Sequence, residues 1–473
     1  MYVTQLKKNG VAWELADDFV GDLDAVLADT GEVIKKTPTK LVTRHTLGNR
    51  TVYLKRYINR VGLRPLKYFF KISEARNEWA LAAEVTARGI PVVRYLAVGE
   101  RWTTLGLQES LIISEGFDGA RLDKYPRHQN DDLQTALAGL LRLMHDRGVL
   151  QRDLHHNILV RENPLELRRI DVDRGEMREP LEEAQRVENL AYINCFVPLR
   201  EKFFTSYQAA PGFIAKILRR SDAILRELAV RRAHRCLEHN LRFEPKRIGD
   251  LTWWVRLEFF GEACKRLLEN PDAALESCSR LFKSGHNRQS TIGAFDGVVL
   301  KRFNQKNRWN YLKDLFRPSR AFRAYQKAYH LELLGIPTPR PVAAAERRCC
   351  RVVLNSYLVT EEIRDANDLR FIAQLDMSIV RRAGTLIGRL HHCGFSHRDL
   401  KETNIVADAS GKVWLLDLDG LVEVGETTYN RAAADLARLT RAAAKYPSVT
   451  RAHRLTFLRA YCQARGIEKI PRL

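Results

Sequence analysis

The chain has 473 residues, about three times the length of a typical single domain, so two or three domains are expected. Its composition, 45% hydrophobic and 29% charged, excludes collagen-like, low-complexity and wholly disordered chains. Lys and Arg number 78 against 57 Asp and Glu, and the net charge of +21 favours anionic partners such as nucleic acid, acidic lipid or phosphorylated substrates.

The sequence does not predict export or membrane insertion. The first residues, MYVTQLKKNG, are not followed by the apolar core of a secretory signal, and no stretch approaches the roughly 18 uncharged apolar residues that span a bilayer. None of the eight cysteines belongs to a C-x-x-C pair, which disfavours a zinc knuckle or a disulfide framework. We therefore expect a reduced, cytosolic environment.

The two halves of the chain repeat each other at a constant offset of 246 residues. Four pairs of segments match at that spacing: VYLKRY at 52–57 and VVLKRF at 298–303, GIP at 89–91 and 335–337, RDL at 152–154 and 398–400, and DVD at 171–173 and DLD at 417–419. This period is far longer than a solenoid unit and fits a whole domain. The sequence therefore predicts two tandem copies of one domain, residues 1–240 and 241–473.

Each copy contains the same predicted elements in the same order. Short β-rich segments end in a strand that carries a lysine, and an alanine-rich helix follows, at 74–88 in the first copy and 320–334 in the second. An amphipathic helix closed by glycine comes later, at 133–148 and 379–394, before the Arg-Asp-Leu loop and a strand that ends in Asp-x-Asp. This order predicts an α+β fold: two tandem bilobal protein-kinase-like domains, each with a small β-rich N-lobe and a larger helical C-lobe.

The second copy carries the residues that phosphoryl transfer requires. The reaction needs a cation on the nucleotide phosphates, a carboxylate that orients the acceptor hydroxyl, and oxygen ligands for Mg²⁺. HRDLKETN at 397–404 has the catalytic-loop pattern of kinases, in which Asp399 orients the hydroxyl and Asn404 binds the metal. Asp417, at the end of an apolar strand, is the other metal ligand, and Lys301 is the phosphate-binding lysine. Solvated charges around core strands would not explain this order or its repetition.

The first copy keeps the corresponding Lys55, Asp153 and Asp171, but its catalytic loop is altered. The loop reads QRDLHHN, with glutamine in place of histidine and with Asn157 four residues after the aspartate instead of five. Because a shorter loop displaces the asparagine, it stays open at this point whether Asn157 binds a metal.

The acid that positions the phosphate-binding lysine in protein kinases also differs between the copies. In the first copy, Glu78 on the alanine-rich helix is placed to pair with Lys55. The equivalent residue of the second copy is Ala324, and Glu332, two turns further on, is the candidate substitute. The complete catalytic loop nevertheless favours the second copy as the more competent site.

Several further motifs indicate which family of kinase-like proteins the chain resembles. Asp-x-Asp stands where protein kinases have Asp-Phe-Gly, SRAF lies at 319–322, and Asn-Leu-Ala at 189–191 and Asp-Leu-Ala at 435–437 follow downstream. Together these motifs resemble the bacterial lipopolysaccharide core kinases, the heptose and Kdo kinases of the protein-kinase-like superfamily. The resemblance implies that the γ-phosphate of ATP is transferred, with Mg²⁺, to a sugar hydroxyl of the lipopolysaccharide inner core. The acceptor would be lipopolysaccharide core or lipid A-core, and the protein would lie in the cytoplasm at the inner face of the inner membrane.

Nucleotide contacts are harder to predict, because no G-x-G-x-x-G precedes either lysine strand. Glu115 and Glu361 lie where the connection between the lobes begins, so the backbone near them could face adenine; a surface acid at a strand end is an equal alternative. His145 and His391 are expected to pack or to cap helices. His155 and His156, in the loop itself, fit an active-site hydrogen bond and an exposed loop equally well.

A basic-aromatic stretch follows each lysine strand, at 55–71 and 301–320. Such a segment could bind anionic sugar phosphates or the acidic inner-membrane surface, or it could be an ordinary solvated helix face. The basic residues expected to bind the membrane are Lys67, Lys71, Arg308 and Lys313. Nucleic acid is not an expected partner, because no zinc finger, RRM core or KH loop is present.

Two other functions stay open at this stage: a pseudokinase scaffold that binds lipopolysaccharide or nucleotide, and a protein kinase. A scaffold has no physical need for the lysine and the two aspartates that both copies retain. No Ala-Pro-Glu segment follows either Asp-x-Asp, which counts against a protein kinase. The sequence makes no prediction of the oligomeric state.

Overall fold

The computed structural model describes residues 3–59, 65–126, 130–259, 261–278, 280–283, 290–304, 317–349, 352–369, 376–425 and 429–467. Arg308 and Lys313 lie outside these residues. The chain divides into two compact units, Met1–Ile224 and Leu225–Leu473, and each contains sheets and helices, as predicted for an α+β fold. The division falls within the helix Pro211–Arg232, and the boundary at residue 240 stays a prediction.

The N-lobe of the first unit is an antiparallel sheet of seven strands in the order β1-β2-β6-β7-β5-β4-β3. The strands are β1 Val3–Lys8, β2 Val11–Ala16, β3 Glu32–Thr37, β4 Lys40–Leu47, β5 Arg50–Ile58, β6 Tyr95–Thr103 and β7 Gly106–Glu115. Alternate residues of β2 and β5 are buried. Trp13 and Leu54 belong to the same core cluster as the buried residues of the short helix α1 (Leu23–Ala28).

Helix α2 (Glu74–Ala87) packs against β6 and β7. The Ser73 hydroxyl caps its first turn by accepting from the Arg76 N–H, and the chain turns away at Gly89. Its buried residues, Ala75, Glu78, Ala82 and Val85, recur at helical spacing on one face. That face carries the Glu78 carboxylate into the interior.

The C-lobe of the first unit is mainly helical and holds the catalytic loop between short strands. Its elements are β8 Ala120–Arg121, α3 Asp131–Asp146, β9 Val149–Leu150, α4 Leu154–Asn157, β10 Ile158–Arg161, β11 Glu166–Arg169, β12 Glu176–Met177, α5 Glu183–Asn194, α6 Glu201–Tyr207 and α7 Pro211–Arg232. Asp153 directly precedes α4, and Asp171 lies between β11 and β12.

The second unit repeats this architecture, with the sheet order β13-β14-β18-β19-β17-β16-β15. Its N-lobe consists of β13 Phe243–Ile248, β14 Leu251–Arg256, α8 Glu262–Glu269, α9 Pro271–Glu276, β15 Arg280–Lys283, β16 Ser290–Phe295, β17 Val298–Phe303, α10 Arg320–Leu333, β18 Pro341–Cys349 and β19 Val352–Glu361. Its C-lobe consists of β20 Asn367–Asp368, α11 Met377–His392, β21 Phe395–His397, β22 Ile405–Ala407, β23 Val413–Leu415, β24 Leu421–Glu423, α12 Tyr429–Ala443 and α13 Arg451–Arg465.

The offset between the copies is smaller in the first two strands than elsewhere. Trp13 on β2 corresponds to Trp253 on β14, 240 residues later, and both are buried core residues at 2% and 0% exposure. Lys55 and Lys301 are 246 residues apart. The second copy therefore has six additional residues between β14 and β17, which hides the match of the N-terminal strands when a single offset is used.

Within the part of the chain that the structure describes, no helix is both long enough and apolar enough to cross a membrane.

Candidate active sites

Lys55 of the first copy lies among carboxylates. Its Nζ is 2.6 Å from Glu78 Oε1 and also contacts the Asp171 carboxylate. Burial favours loss of the proton, but Glu78 and Asp171 outweigh it and raise the pKa of Lys55. The lysine is therefore a fixed positive charge at the junction of the lobes.

Glu78 is held by more than the lysine. It is fully buried, and its carboxylate accepts hydrogen bonds from the Tyr57 hydroxyl at 3.1 Å and from the Tyr95 hydroxyl at 2.7 Å. Burial, together with the negative charge of Glu78, raises the pKa of both tyrosines, so they remain donors. These hydrogen bonds satisfy a carboxylate that would otherwise be unfavourable in the core.

Asp171 adopts a left-handed backbone conformation, with φ +50°, as the chain leaves β11. Its carbonyl oxygen accepts hydrogen bonds from Gln151 Nε2 at 2.9 Å and Asn157 Nδ2 at 3.4 Å. Burial opposes its ionisation, but Lys55 keeps the pKa of Asp171 low. Burial, and then the charges of Glu78 and Asp171, raise the pKa of the neighbouring Asp173.

In the second copy, Lys301 Nζ is 2.6 Å from Asp417 Oδ1, and Asp417 has the same left-handed conformation, with φ +54°. The helix position that holds Glu78 in the first copy is the buried Ala324. The expectation that Glu332 substitutes for it is wrong: its two carboxylate oxygens accept from the Arg256 guanidinium at 2.7 and 3.0 Å. Arg256 is only 2% exposed and needs this counter-charge itself.

The catalytic-loop aspartates have different cationic partners. Asp153 Oδ2 is 3.1 Å from Arg174 Nη1, and Asp399 Oδ2 is 2.7 Å from Lys401 Nζ. The loop asparagines also differ, because Asn404 Nδ2 donates to the Asp399 carbonyl at 2.8 Å whereas Asn157 Nδ2 donates to the Asp171 carbonyl. The shortened loop thus changes the partner of the asparagine but leaves it beside Asp171.

Asn189 and Asp435 anchor the catalytic loops from the helices behind them. Asn189 Nδ2 donates to the Gln151 carbonyl at 2.8 Å, and Asp435 Oδ2 accepts from the His397 N–H at 2.9 Å. In the sequence these two residues stand out only as family motifs. Their recurrence at an offset of 246 residues was the signal that they support the loop.

His145 and His391 complete these anchors and pack in the interior, as expected. His145 is fully buried between the Tyr207 hydroxyl at 2.8 Å and Asn189 Oδ1 at 2.9 Å. His391 lies between the Tyr461 hydroxyl at 2.8 Å and Asp435 Oδ2 at 3.2 Å. Burial lowers the pKa of both rings.

The remaining candidates lie at the edges of the sites. Glu115, at the end of β7, pairs with Arg50 at 2.6 Å, and Glu361, at the end of β19, lies 3.7 Å from Arg340 Nε. Both therefore act as strand-end acids in ion pairs, and a contact of the backbone near them with adenine stays a prediction.

The two loop histidines differ from each other. The buried His155 ring stacks on Phe196 with centroids 3.9 Å apart, while the half-exposed His156 has its Nδ1 3.1 Å from Asp123 Oδ2. Burial lowers the pKa of His155 to about 4, so its ring is neutral at pH 7.

In each copy a β-rich lobe and a helical lobe meet where a lysine of the first contacts the first aspartate of Asp-x-Asp in the second, and these features define the protein-kinase-like class. The model of the lipopolysaccharide kinase (Kdo/WaaP) family matches residues 27–204 and 278–461, one segment in each unit. The chain belongs to this family, and its two copies account for the two segments.

Individual relatives match parts of the chain. The chain is 32% identical over 113 residues to a 3-deoxy-D-manno-octulosonic acid kinase of Vibrio parahaemolyticus, covering 23% of this chain and 47% of that protein. It is 31% identical over 141 residues to the enzyme of the same name from Actinobacillus succinogenes, covering 28% and 58%. The chain thus spans about half the length of the curated relatives it matches. A solved structure of WaaP in complex with acyl carrier protein matches with a TM-score of 0.34 at 20% identity, covering 47% of this chain and 99% of that chain.

Proposed function

We propose that the protein transfers the γ-phosphate of ATP to a hydroxyl of a heptose or Kdo sugar of the lipopolysaccharide inner core. The observation that carries this proposal is the contact, twice in one chain, of the lysine of an N-lobe strand with the first aspartate of Asp-x-Asp: Lys55 with Asp171 and Lys301 with Asp417. Family membership and the names of the relatives support the sugar acceptor.

In this mechanism Asp153 and Asp399 accept the proton of the attacking hydroxyl. The hydroxyl oxygen forms a bond to the γ-phosphorus as the bond from that phosphorus to the β,γ-bridging oxygen breaks, and ADP leaves. Lys55 and Lys301 hold the phosphates, because each is a charged ammonium group at the junction of the lobes. The protein contributes mainly position and electrostatic stabilisation.

The residues also fit Mg²⁺. The described residues contain no group of three or more His, Cys, Asp or Glu side chains that could hold a metal by themselves, and Mg²⁺ characteristically combines one or two carboxylates with substrate phosphates. Burial raises the pKa of Asp173, the charges of Glu78 and Asp171 add to that rise, and a cation beside Asp171 would offset these charges. Asp171 with Asn157, and Asp417 with Asn404, would hold the ion. When bound, it neutralises the charge of the phosphates.

We further propose that both copies are active. The complete HRDLKETN loop favours the second copy, but the first has the Lys55–Glu78 pair that the second lacks, and Asn157 remains next to Asp171. Each copy therefore retains a lysine, a catalytic aspartate and a metal-binding pair. Each copy can therefore catalyse the whole reaction without residues from the other copy.

The anionic inner-membrane surface is the proposed location of the acceptor. In and directly after the basic-aromatic stretch of the first copy, apolar side chains are exposed near Lys67 and Lys71: Leu66 at 42%, Phe69 at 54%, Phe70 at 96% and Ile72 at 64%. Exposed apolar residues among lysines suit the interface of an anionic bilayer. The protein would then work in the cytoplasm at the periphery of that membrane.

An acceptor panel separates this function from the two alternatives. The full chain, ATP and Mg²⁺ should transfer phosphate to dephosphorylated core oligosaccharide and not to a generic protein substrate. Nucleotide binding without transfer to any acceptor would support a pseudokinase scaffold. Transfer to protein alone would support a protein kinase.

A further inference from the structure

The two copies bring a cation to the catalytic aspartate from different parts of the chain. In the second copy the cation is Lys401, two residues after Asp399 in the catalytic loop. In the first copy it is Arg174, which comes from the short helical turn after Asp171 and contacts Asp153. Both cations contact the Oδ2 atom of their aspartate.

The two copies have different residues at these two positions. The counterpart of Lys401 is His155, whose buried ring stacks on Phe196 with centroids 3.9 Å apart. The counterpart of Arg174, 246 residues later, is Gly420, which has no side chain. Of these two positions, each copy has a lysine or an arginine at one only: the second copy at Lys401 and the first copy at Arg174.

A third position, Gln151 in the first copy and His397 in the second, also differs between the copies. A Cβ atom added to Gly420 would lie 3.2 Å from His397 Cε1 and 3.3 Å from the Asp399 nitrogen, so a side chain there is crowded by the histidine. The first copy has Gln151 in place of that histidine. Gln151 Nε2 still donates to the Asp171 carbonyl at 2.9 Å, as His397 Nε2 does to the Asp417 carbonyl at 3.1 Å. Glutamine thus keeps the hydrogen bond and leaves room for Arg174.

We propose that Arg174 is a catalytic residue of the first copy, equivalent to Lys401 of the second, and that it contacts the phosphoryl group in transit. This inference rests on the proposed function. The Arg174 side chain is 75% exposed and that of Asp153 31%, and an ion pair so exposed adds little to folding stability. A cation at the carboxylate that receives the hydroxyl proton lies where negative charge spreads over the phosphoryl oxygens as the new oxygen–phosphorus bond forms.

The test uses the full chain with Asp399→Asn, so that transfer reports on the first copy. In this background Arg174→Ala should lower kcat about 100-fold and leave the KM for ATP and the melting temperature unchanged. Arg174→Lys should recover most of the loss, because it restores the charge. The matched control is Arg178→Ala, since Arg178 is an exposed arginine four residues away that pairs with Glu176.

The second copy provides the reciprocal test in the Asp153→Asn background. Lys401→Ala should lower kcat to a similar degree, and adding Gly420→Arg with His397→Gln should restore activity by building the arrangement of the first copy. Failure of this triple variant to exceed Lys401→Ala, although folded, would contradict the equivalence of the two cations.

ATP hydrolysis by the same variants distinguishes this inference from the proposed function, because hydrolysis needs no sugar. If hydrolysis depends on Arg174 but no core sugar is phosphorylated, the proposed acceptor is wrong and the proposed role of Arg174 is supported. If Arg174→Ala matches its parent in both assays, or if the Asp399→Asn chain is inactive in both while the wild type is active, the role of Arg174 is overturned.

Discussion

Glu78 is the residue that most clearly separates the two copies. It is fully buried and accepts hydrogen bonds from Lys55, Tyr57 and Tyr95, whereas Ala324 at the same place can accept none. Lys301 is held instead by Asp417. The two lysines are therefore positioned to different degrees before nucleotide binds.

Replacing Glu78 by Gln should weaken the first copy in two ways. Gln has nearly the same shape but no charge, so Lys55 keeps Asp171 as its counter-charge and the buried hydrogen bonds weaken. We expect a loss of about 1–3 kcal/mol in the free energy of unfolding, measured with urea, and a higher KM for ATP in the Asp399→Asn chain. Glu84→Gln, in an exposed pair with Arg88, is the control and should change neither. An unaltered KM in the Glu78→Gln chain would contradict this account of the pair.

His145 should make the stability of the first copy depend on pH. Burial lowers its pKa to about 4, while the unfolded chain binds the proton near pH 6.5. The stabilisation is therefore complete above about pH 6.5 and is lost as the pH falls toward 4, by up to about 3 kcal/mol. His145→Gln should show a smaller fall in the free energy of unfolding between about pH 7 and pH 5. Parallel pH profiles for the two chains would show that this ring is not the group that titrates.

At the level of elements, the turn after α3 sets the direction in which the chain enters the catalytic loop. Gly148 ends this helix with φ +68°, and a Cβ there would lie 2.0 Å from the Arg178 carbonyl oxygen. Gly89, which ends α2 with φ +72°, has nothing within 4 Å of such an atom. The two glycines thus have the same backbone conformation, but only Gly148 lacks room for a side chain.

Substituting Ala at these glycines should separate strain from steric clash. Gly89→Ala should lower the free energy of unfolding by about 1 kcal/mol, the typical effect of a left-handed alanine. Gly148→Ala should lower it by clearly more, because the backbone of Arg178 must move as well. The measurement is urea unfolding of both chains. Equal losses in the free energy of unfolding would show that the backbone near Arg178 moves without a further loss of stability.

The sequence predicts elements better than it predicts ion pairs. The alanine-rich helices expected at 74–88 and 320–334 are Glu74–Ala87 and Arg320–Leu333, because their caps and Gly-Ile-Pro stops are local signals. The pairing of Glu332 with Arg256 joins residues 76 apart and depends on how β14 meets α10, which no spacing rule shows. Arg174 was missed for a similar reason, since its contact with Asp153 depends on a turn that the motif does not describe.

At the scale of the whole molecule, the net charge of +21 and the exposed apolar residues near Lys67 should give salt-sensitive binding to anionic vesicles. Lys67→Gln with Lys71→Gln, or Phe70→Ser alone, should reduce flotation with phosphatidylglycerol vesicles, by roughly 1 kcal/mol for each engaged lysine. Leu241→Ser, at a leucine that is 98% exposed in the second unit, is the control. Flotation that is equal for all these chains would remove the first basic-aromatic stretch from membrane binding.

The tandem arrangement makes the central claim testable within one chain, because each copy carries its own catalytic aspartate. The most direct measurement is transfer of phosphate from ATP to purified, dephosphorylated core acceptor by the wild type, Asp153→Asn, Asp399→Asn and the double variant, with the product identified by mass spectrometry. We predict that the wild type adds phosphate to an inner-core sugar, that each single variant retains part of the rate, and that the double variant has none. Sugar phosphorylation by a folded double variant at the wild-type rate, or none by the wild type, would contradict the account.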